Sequence, residues 1–200
     1  IFYKAFFNKY NSYSELDPAW LKLKESIADY CIDQHLLSPA RSILSLGCGI
    51  GIIEKRLYER GYRNIFVSES STIPLKWIQK ILPTSHIFES SLLEDIPRKI
   101  YDNLLMGSID YFLDDEQLSS LLNASKSFLT PTGSLIMLSW SFEESPTPES
   151  PEPQDQQFWG WIRTTDEYID LFNKSGFKKL KQEIVDTETQ WKTLVLSASL

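Results

Sequence analysis

The sequence predicts a doubly wound α/β fold with a mostly parallel seven-stranded sheet and a C-terminal antiparallel hairpin. Five short apolar runs alternate with helical patterns over the first 140 residues, which is typical of strand–helix–strand units and a parallel sheet covered on both faces. Two further apolar runs close the chain with only a short connection between them, which favours a hairpin. A length of 200 residues fits one domain with a sizeable core, so residues 1–200 are interpreted as a single domain.

Each element has a local signal. Asp17 and Pro18 predict the start of a first helix that continues to about residue 37, with an N-cap acid followed by proline. Strands are expected at 43–46, 65–67, 86–88, 103–106 and 135–140, the last after a turn at 131–133. Further helices are expected at 52–60, 73–82, 114–129 and 165–175, with Gly61 and Gly176 as caps. The hairpin is expected at 177–185 and 191–198.

Two segments stand outside this alternation. Residues 1–17 are rich in aromatic side chains and predict a cap over the N-terminal side of the domain. Residues 143–157 are rich in proline and acid, which predicts a loop with no packed core of its own. Because that loop follows the fifth strand, we expect it to act as a lid over an acceptor.

Composition excludes several classes of protein. The net charge of −7 lacks the basic excess of most nucleic-acid binders, so a nucleic-acid partner is disfavoured. No stretch is long and apolar enough to predict a membrane span, and the N-terminus has no signal-peptide pattern. Two cysteines with no metal-ligand spacing predict neither a disulfide framework nor a metal site and favour a cytoplasmic setting. The oligomeric state stays open.

The most informative stretch is the glycine-rich turn after the first strand, in the sequence ILSLGCGIG. Glycines at this spacing let the backbone turn tightly before a helix and approach a ligand. The spacing is G-x-G-x-G and not the G-x-G-x-x-G of dinucleotide-binding folds, which argues against a nicotinamide oxidoreductase. It resembles the first motif of class I S-adenosylmethionine-dependent methyltransferases. That resemblance implies S-adenosylmethionine as cofactor, held by Leu46, Gly47, Cys48, Gly49 and Gly51.

The later segments resemble the same family in the same order. Glu69 ends the second strand about 20 residues beyond the glycine loop, where an acid can bind ribose hydroxyls, and Ser70 follows it. The resemblance implies adenine contacts from Ser91 and Leu92, and further cofactor contacts from Gly107 and Ser108. One position departs from the family pattern. Many members carry an acid two residues before the first glycine, and this chain has Ser45.

The resemblance places the reaction just past the fourth strand. Asp110 is the candidate base, for an acceptor that must lose a proton, and Tyr111 is its candidate neighbour in catalysis. A surface or helix-capping role for Asp110 is the competing interpretation. Aromatic rings and an arginine that could line an acceptor pocket are Tyr10, Tyr13, Trp159 and Arg163, with core packing as their alternative.

The segment GSIDYF lacks the motif of methyltransferases that act on exocyclic base amines, and no Pro-Cys nucleophile for base C5 methylation is present. Transfer to an oxygen or nitrogen of a small-molecule or sugar/glycan acceptor is therefore expected. Because of Ser45, a catalytically silent methyltransferase-like module of a larger biosynthetic or scaffolding protein stays open as the alternative.

Overall fold

The computed structural model describes residues 9–91, 93, 96–97, 99–140, 161, 163–186 and 192–200. Leu92, Trp159, the predicted loop 143–157 and the first eight residues of the aromatic segment lie outside the described residues. The expectations for them stay predictions.

The described chain forms a seven-stranded sheet in the order β3-β2-β1-β4-β5-β7-β6. The strands are β1 (Ile43–Leu46), β2 (Ile65–Glu69), β3 (Ile87–Glu89), β4 (Tyr101–Gly107), β5 (Leu129–Trp140), β6 (Lys178–Asp186) and β7 (Lys192–Ser199). The first five pair in parallel, whereas β7 pairs antiparallel with both β5 and β6. The predicted fold class is confirmed, C-terminal hairpin included.

Helices cover both faces of this sheet. They are α1 (Pro18–Asp33), α2 (Ile52–Glu59), α3 (Thr72–Ile78), α4 (Asp115–Ser125) and α5 (Thr165–Lys174). Asp17 caps α1 as predicted, because its side chain accepts hydrogen bonds from the N–H groups of Ala19 and Trp20. Within the described residues, no helix combines the length and the apolar character needed to cross a membrane.

The central strands are buried on both faces, as expected of a parallel sheet. All four residues of β1 are buried, and the apolar ones divide between two clusters on opposite faces. Leu44 and Leu46 belong to the cluster beneath α4 and α5, whereas Ile43 packs with α1 and α2 residues on the other face. This double burial fixes where β1 ends, and therefore where the glycine loop begins.

The predicted ends of three elements are wrong. No turn separates residues 131–133 from the fifth strand, because β5 runs without a break from Leu129. The proline and glycine there coincide with a register shift opposite Tyr101 and Asn103, so they form an irregularity inside the strand. Helix α3 ends at Ile78, not at residue 82, and α4 tightens into a 3₁₀ turn at Lys126–Phe128.

Candidate functional site

The glycine loop connects β1 to α2 through left-handed backbone conformations. Gly47, Gly49 and Gly51 have φ angles of 62°, 56° and 72°. A Cβ atom on Gly47 would lie 2.5 Å from Cγ2 of Ile109, and one on Gly51 would lie 2.3 Å from Cδ1 of Ile78. Both conformation and space therefore disfavour a side chain at Gly47 and Gly51, in the loop at the carboxyl edge of the sheet. The predicted turn is confirmed.

Glu69 links this loop to the end of β2. One carboxylate oxygen accepts the N–H of Gly49 at 2.9 Å, and the other accepts the N–H of Ser71 at 2.9 Å. The residue is 5 % exposed. A carboxylate has about four lone-pair sites, so these bonds leave capacity for hydroxyl donors. Glu69 therefore orders the glycine loop from the end of β2, the position predicted for it.

A buried carboxylate stands beside Ser45. The Ser45 hydroxyl donates to Oε1 of Glu54 at 2.5 Å, and Glu54 is 3 % exposed in the first turn of α2. Burial raises the pKa of Glu54, while the Ser45 hydrogen bond and the positive charge of Lys24 oppose that rise. Serine at 45 thus does not leave this part of the site without an acid.

Lys24 reaches the same edge of the sheet from α1. Its Nζ donates to the Ser108 hydroxyl at 2.9 Å. Burial lowers the pKa of Lys24, and the nearby charges of Glu54 and Asp110 partly offset this. Ser108 itself has a φ of 62°, unusual for a residue with a side chain. The hydrogen bond from Lys24 helps to hold this strained conformation, and the role of Ser108 in the site stays a prediction.

Asp110 is fully buried in the 3₁₀ turn after β4. Its Oδ2 accepts hydrogen bonds from the hydroxyls of Ser139 and Tyr168. Burial raises the pKa of Asp110, and these two hydrogen bonds oppose the rise. The expectation of an accessible base is not supported, because the carboxylate points into the protein and holds β5 and α5 to the turn.

Arg163 differs from its predicted acceptor-binding role in the same way. Its guanidinium pairs with Oδ1 of Asp115 at 2.7 Å and donates to the main-chain carbonyls of Asp110 and Leu113. Only 4 % of the residue is exposed. Arg163 therefore lies beneath the turn and stabilises it, instead of facing an acceptor.

The two N-terminal tyrosines pack near the glycine loop. The Tyr13 hydroxyl donates to the Ile50 carbonyl at 2.5 Å, and its ring meets Trp77 edge-on at 4.8 Å. Tyr10 packs beside Tyr13 in the same apolar cluster. Tyr13 thus contacts the glycine loop directly, and the contact of either tyrosine with an acceptor stays a prediction.

The remaining predicted residues lie along the same edge. Leu46 is fully buried, Cys48 is half-buried with its N–H donating to the Ser68 carbonyl at 3.1 Å, and Gly107 ends β4. Ser70 and Ser91 are exposed, next to the carboxyl ends of β2 and β3. Tyr111 is half-buried, and burial raises its pKa to about 12.

The sequence did not single out Lys24 and Glu54 as site residues. Each is a charged residue directly beside apolar core positions of its helix: Lys24 follows Leu23, and Glu54 follows Ile53. A charge next to the apolar stripe of a helix was the available signal. The pairing of Glu54 with Ser45, nine residues apart, depends on how α2 folds back on β1.

A shallow depression of about 910 Å³ lies at the opposite edge of the sheet, lined by residues that include His35 and Arg60. Ligands of open α/β sheets bind at the carboxyl ends of the strands. We therefore place the candidate site at the glycine loop and not in this depression.

Comparison with known proteins identifies solved structures of similar fold. No family model and no curated protein matches the sequence. Among solved structures, the glycopeptide N-methyltransferase MtfA superposes with a TM-score of 0.73 at 14 % identity, over 88 % of this chain and 90 % of MtfA. Magnesium protoporphyrin IX methyltransferase from Synechocystis PCC 6803, solved with S-adenosylmethionine, gives 0.65 at 13 % identity, over 91 % and 80 % of the two chains. A Leishmania major S-adenosylmethionine-dependent methyltransferase gives 0.66 at 18 % identity, over 90 % and 72 %.

The protein therefore has the Rossmann-like fold of class I S-adenosylmethionine-dependent methyltransferases, and the resemblance in the sequence is confirmed at the level of the fold.

Proposed function

We propose that this protein binds S-adenosylmethionine at the glycine loop and transfers its methyl group to an acceptor. The observation that carries the proposal is the bond between Glu69 and the N–H of Gly49, which joins a bare glycine loop to a buried acid. Both lie beside the junction of β1 with β4, where the sheet order reverses direction. Such a switch point is the usual ligand site of an open α/β sheet.

The residues present fit this cofactor. The left-handed glycines set the turn into α2, whose N-terminal N–H groups would bind polar ligand groups. Glu69 would hold the ribose hydroxyls, and the segment around Ser91 would hold the adenine. Ser108 and Tyr111 would border the acceptor. When bound, S-adenosylmethionine supplies an electrophilic methyl group on a sulfonium.

The chain's own contribution is positioning and exclusion of water. Tyr13 and Trp77 shield the outer side of the glycine loop, and the buried Asp110–Tyr168 pair fixes the turn that carries Tyr111. A neutral amine acceptor needs no base before transfer. A hydroxyl acceptor does, and the fully buried Asp110 is not placed to accept that proton.

The acceptor class we propose is a small molecule or a glycan, modified at oxygen or nitrogen. Support comes from structural neighbours named for a glycopeptide and a porphyrin. The net charge of −7 adds to it, since a polyanionic acceptor would be repelled.

Calorimetric titration tests the cofactor assignment. We expect S-adenosylhomocysteine to bind, and Glu69→Ala to weaken binding by about 1.5–3 kcal/mol, roughly 10- to 150-fold, because a charged hydrogen-bond acceptor is lost. Glu116→Ala, which removes an exposed glutamate on α4, is the matched control and should bind like the wild type. Equal affinity in the Glu69 and Glu116 variants would overturn the role of Glu69.

A catalytically silent module is the second candidate. The contact of Lys24 with Ser108 favours it, because a lysine side chain then occupies the edge where an acceptor would approach. A folded wild-type protein that binds neither S-adenosylmethionine nor S-adenosylhomocysteine would decide for this alternative.

A further inference from the structure

We propose that Glu54 supplies the negative charge that position 45 lacks, and that it holds the ammonium of the cofactor's amino-acid part. The inference rests on the proposed binding of S-adenosylmethionine. The juxtaposition that carries it is the hydrogen bond from the Ser45 hydroxyl to Glu54, at the point where β1 enters the glycine loop.

Ser45 is the penultimate residue of β1, in register between Val67 of β2 and Leu105 of β4. Glu54 comes back to this point from the first turn of α2, so its carboxylate lies one hydrogen bond beyond the Ser45 side chain. An acid at position 45 would place its charge at this corner of the loop. Glu54, which is bonded to Ser45, places its carboxylate at the same corner.

Glu54 is 3 % exposed, and burying a carboxylate is unfavourable unless charge or hydrogen bonds compensate. The Ser45 hydroxyl and the field of Lys24 provide part of this compensation, yet the effect of burial on the pKa of Glu54 is still the larger one. Lys24 Nζ is bonded to Ser108. A cationic ligand group beside Glu54 would complete the compensation.

An ammonium is a compact cation whose strongest partners are carboxylates. Of the carboxylates at the glycine loop, Glu69 is bonded to Gly49 and Ser71 at the end of β2, on the side assigned to the ribose. Glu54 lies on the side of β1 and α2, away from Glu69. We therefore assign it to the amino-acid end of the ligand, opposite the ribose.

Two ligands separate this role from a purely structural one. S-adenosylhomocysteine carries the amino-acid part, whereas 5′-methylthioadenosine keeps the nucleoside and lacks it. We expect Glu54→Gln to weaken S-adenosylhomocysteine binding tenfold or more in calorimetry and to leave 5′-methylthioadenosine within about twofold. Glu59→Gln, at the solvent side of the same helix, is the matched control and should change neither affinity.

Returning the charge to position 45 gives the sharper test. The double variant Ser45→Asp/Glu54→Gln transfers the carboxylate from position 54 to position 45, its hydrogen-bond partner. We expect its affinity for S-adenosylhomocysteine to lie within about threefold of that of the wild type. A folded double variant that binds 5′-methylthioadenosine but not S-adenosylhomocysteine would overturn the proposal. If Glu54→Gln does not fold, the double variant by itself tests the role of Glu54.

The result that would contradict the proposed function differs from the result that would contradict the role of Glu54. If the wild type binds neither ligand, the proposed function is wrong. If it binds both and Glu54→Gln weakens neither, or weakens both equally, cofactor binding stands and the assignment of Glu54 is wrong.

Discussion

At the scale of single residues, the site depends on backbone conformations that most side chains disfavour. Gly47 and Gly51 turn the loop at positive φ, and Ser108 does the same at the end of β4. Each non-glycine residue in this region costs about 1–3 kcal/mol, so the fold around it must compensate. The contact of Ser108 with Lys24 is one such compensation.

Gly47→Ala should therefore destabilise the protein for two reasons. The left-handed φ of 62° disfavours alanine, and the new Cβ would meet Ile109 at 2.5 Å. Gly61→Ala is the matched control, since its φ is 93° but a Cβ there meets nothing within 4 Å. In urea denaturation we expect Gly47→Ala to lose about 1–3 kcal/mol more than Gly61→Ala, and only Gly47→Ala to weaken S-adenosylhomocysteine binding. Equal losses would contradict the close approach of Ile109.

At the scale of elements, Asp110 joins the turn after β4 to β5 and α5. Ser139 lies on β5 and Tyr168 on α5, and both donate to one carboxylate oxygen. Arg163, just before α5, bonds the main chain of the same turn. This network sets the position of Tyr111 relative to the glycine loop, which is why a residue predicted as a base acts in the structure as an anchor.

The stability contributed by Asp110 should depend on pH with a definite sign. Because burial raises its pKa above 3.8, the native state binds the proton more tightly than the unfolded chain. The stability of the wild type relative to Asp110→Asn should therefore fall as pH rises from about 3.8 through the raised native pKa, and level off above it. Urea denaturation over this range measures the difference.

Tyr168→Phe provides a companion variant. Removing this donor withdraws one interaction that lowers the pKa of Asp110, so the fall with pH should extend to higher pH. A wild-type advantage over Asp110→Asn that grows with pH would mean that the hydrogen bonds lower the pKa of Asp110 by more than burial raises it.

At the scale of the whole molecule, the sheet order brings distant segments to one edge. Strands β1 and β4 are neighbours, so Leu46 pairs with Met106 although 60 residues separate them. The glycine loop, Glu69 and the turn at Ser108 consequently lie along the same edge of the sheet. A ligand bound there would contact β1, β2 and β4, and we expect its binding to stabilise the domain as a unit.

Ligand binding should raise the melting temperature accordingly. S-adenosylhomocysteine at about 100 times its Kd adds about 2.7 kcal/mol to stability, which corresponds to a shift of roughly 5–10 °C for a chain of 200 residues. Scanning fluorimetry measures the shift, with NAD as the control ligand. A shift with NAD of the same size would contradict the specificity that the glycine spacing indicates.

The sequence by itself determined the order and type of the elements, since apolar runs, caps and glycines act locally. It also located the glycine loop and Glu69, because a strand, a tight turn and a helix follow each other within about twenty residues. The roles of Asp110 and Arg163 were not readable, because burial and partners such as Tyr168 come from elements about 50 residues away. The pairing of Ser45 with Glu54 and of Lys24 with Ser108 was decided by tertiary packing alone. A charged residue can be identified from a sequence, but its electrostatic surroundings depend on the helices that pack against the sheet.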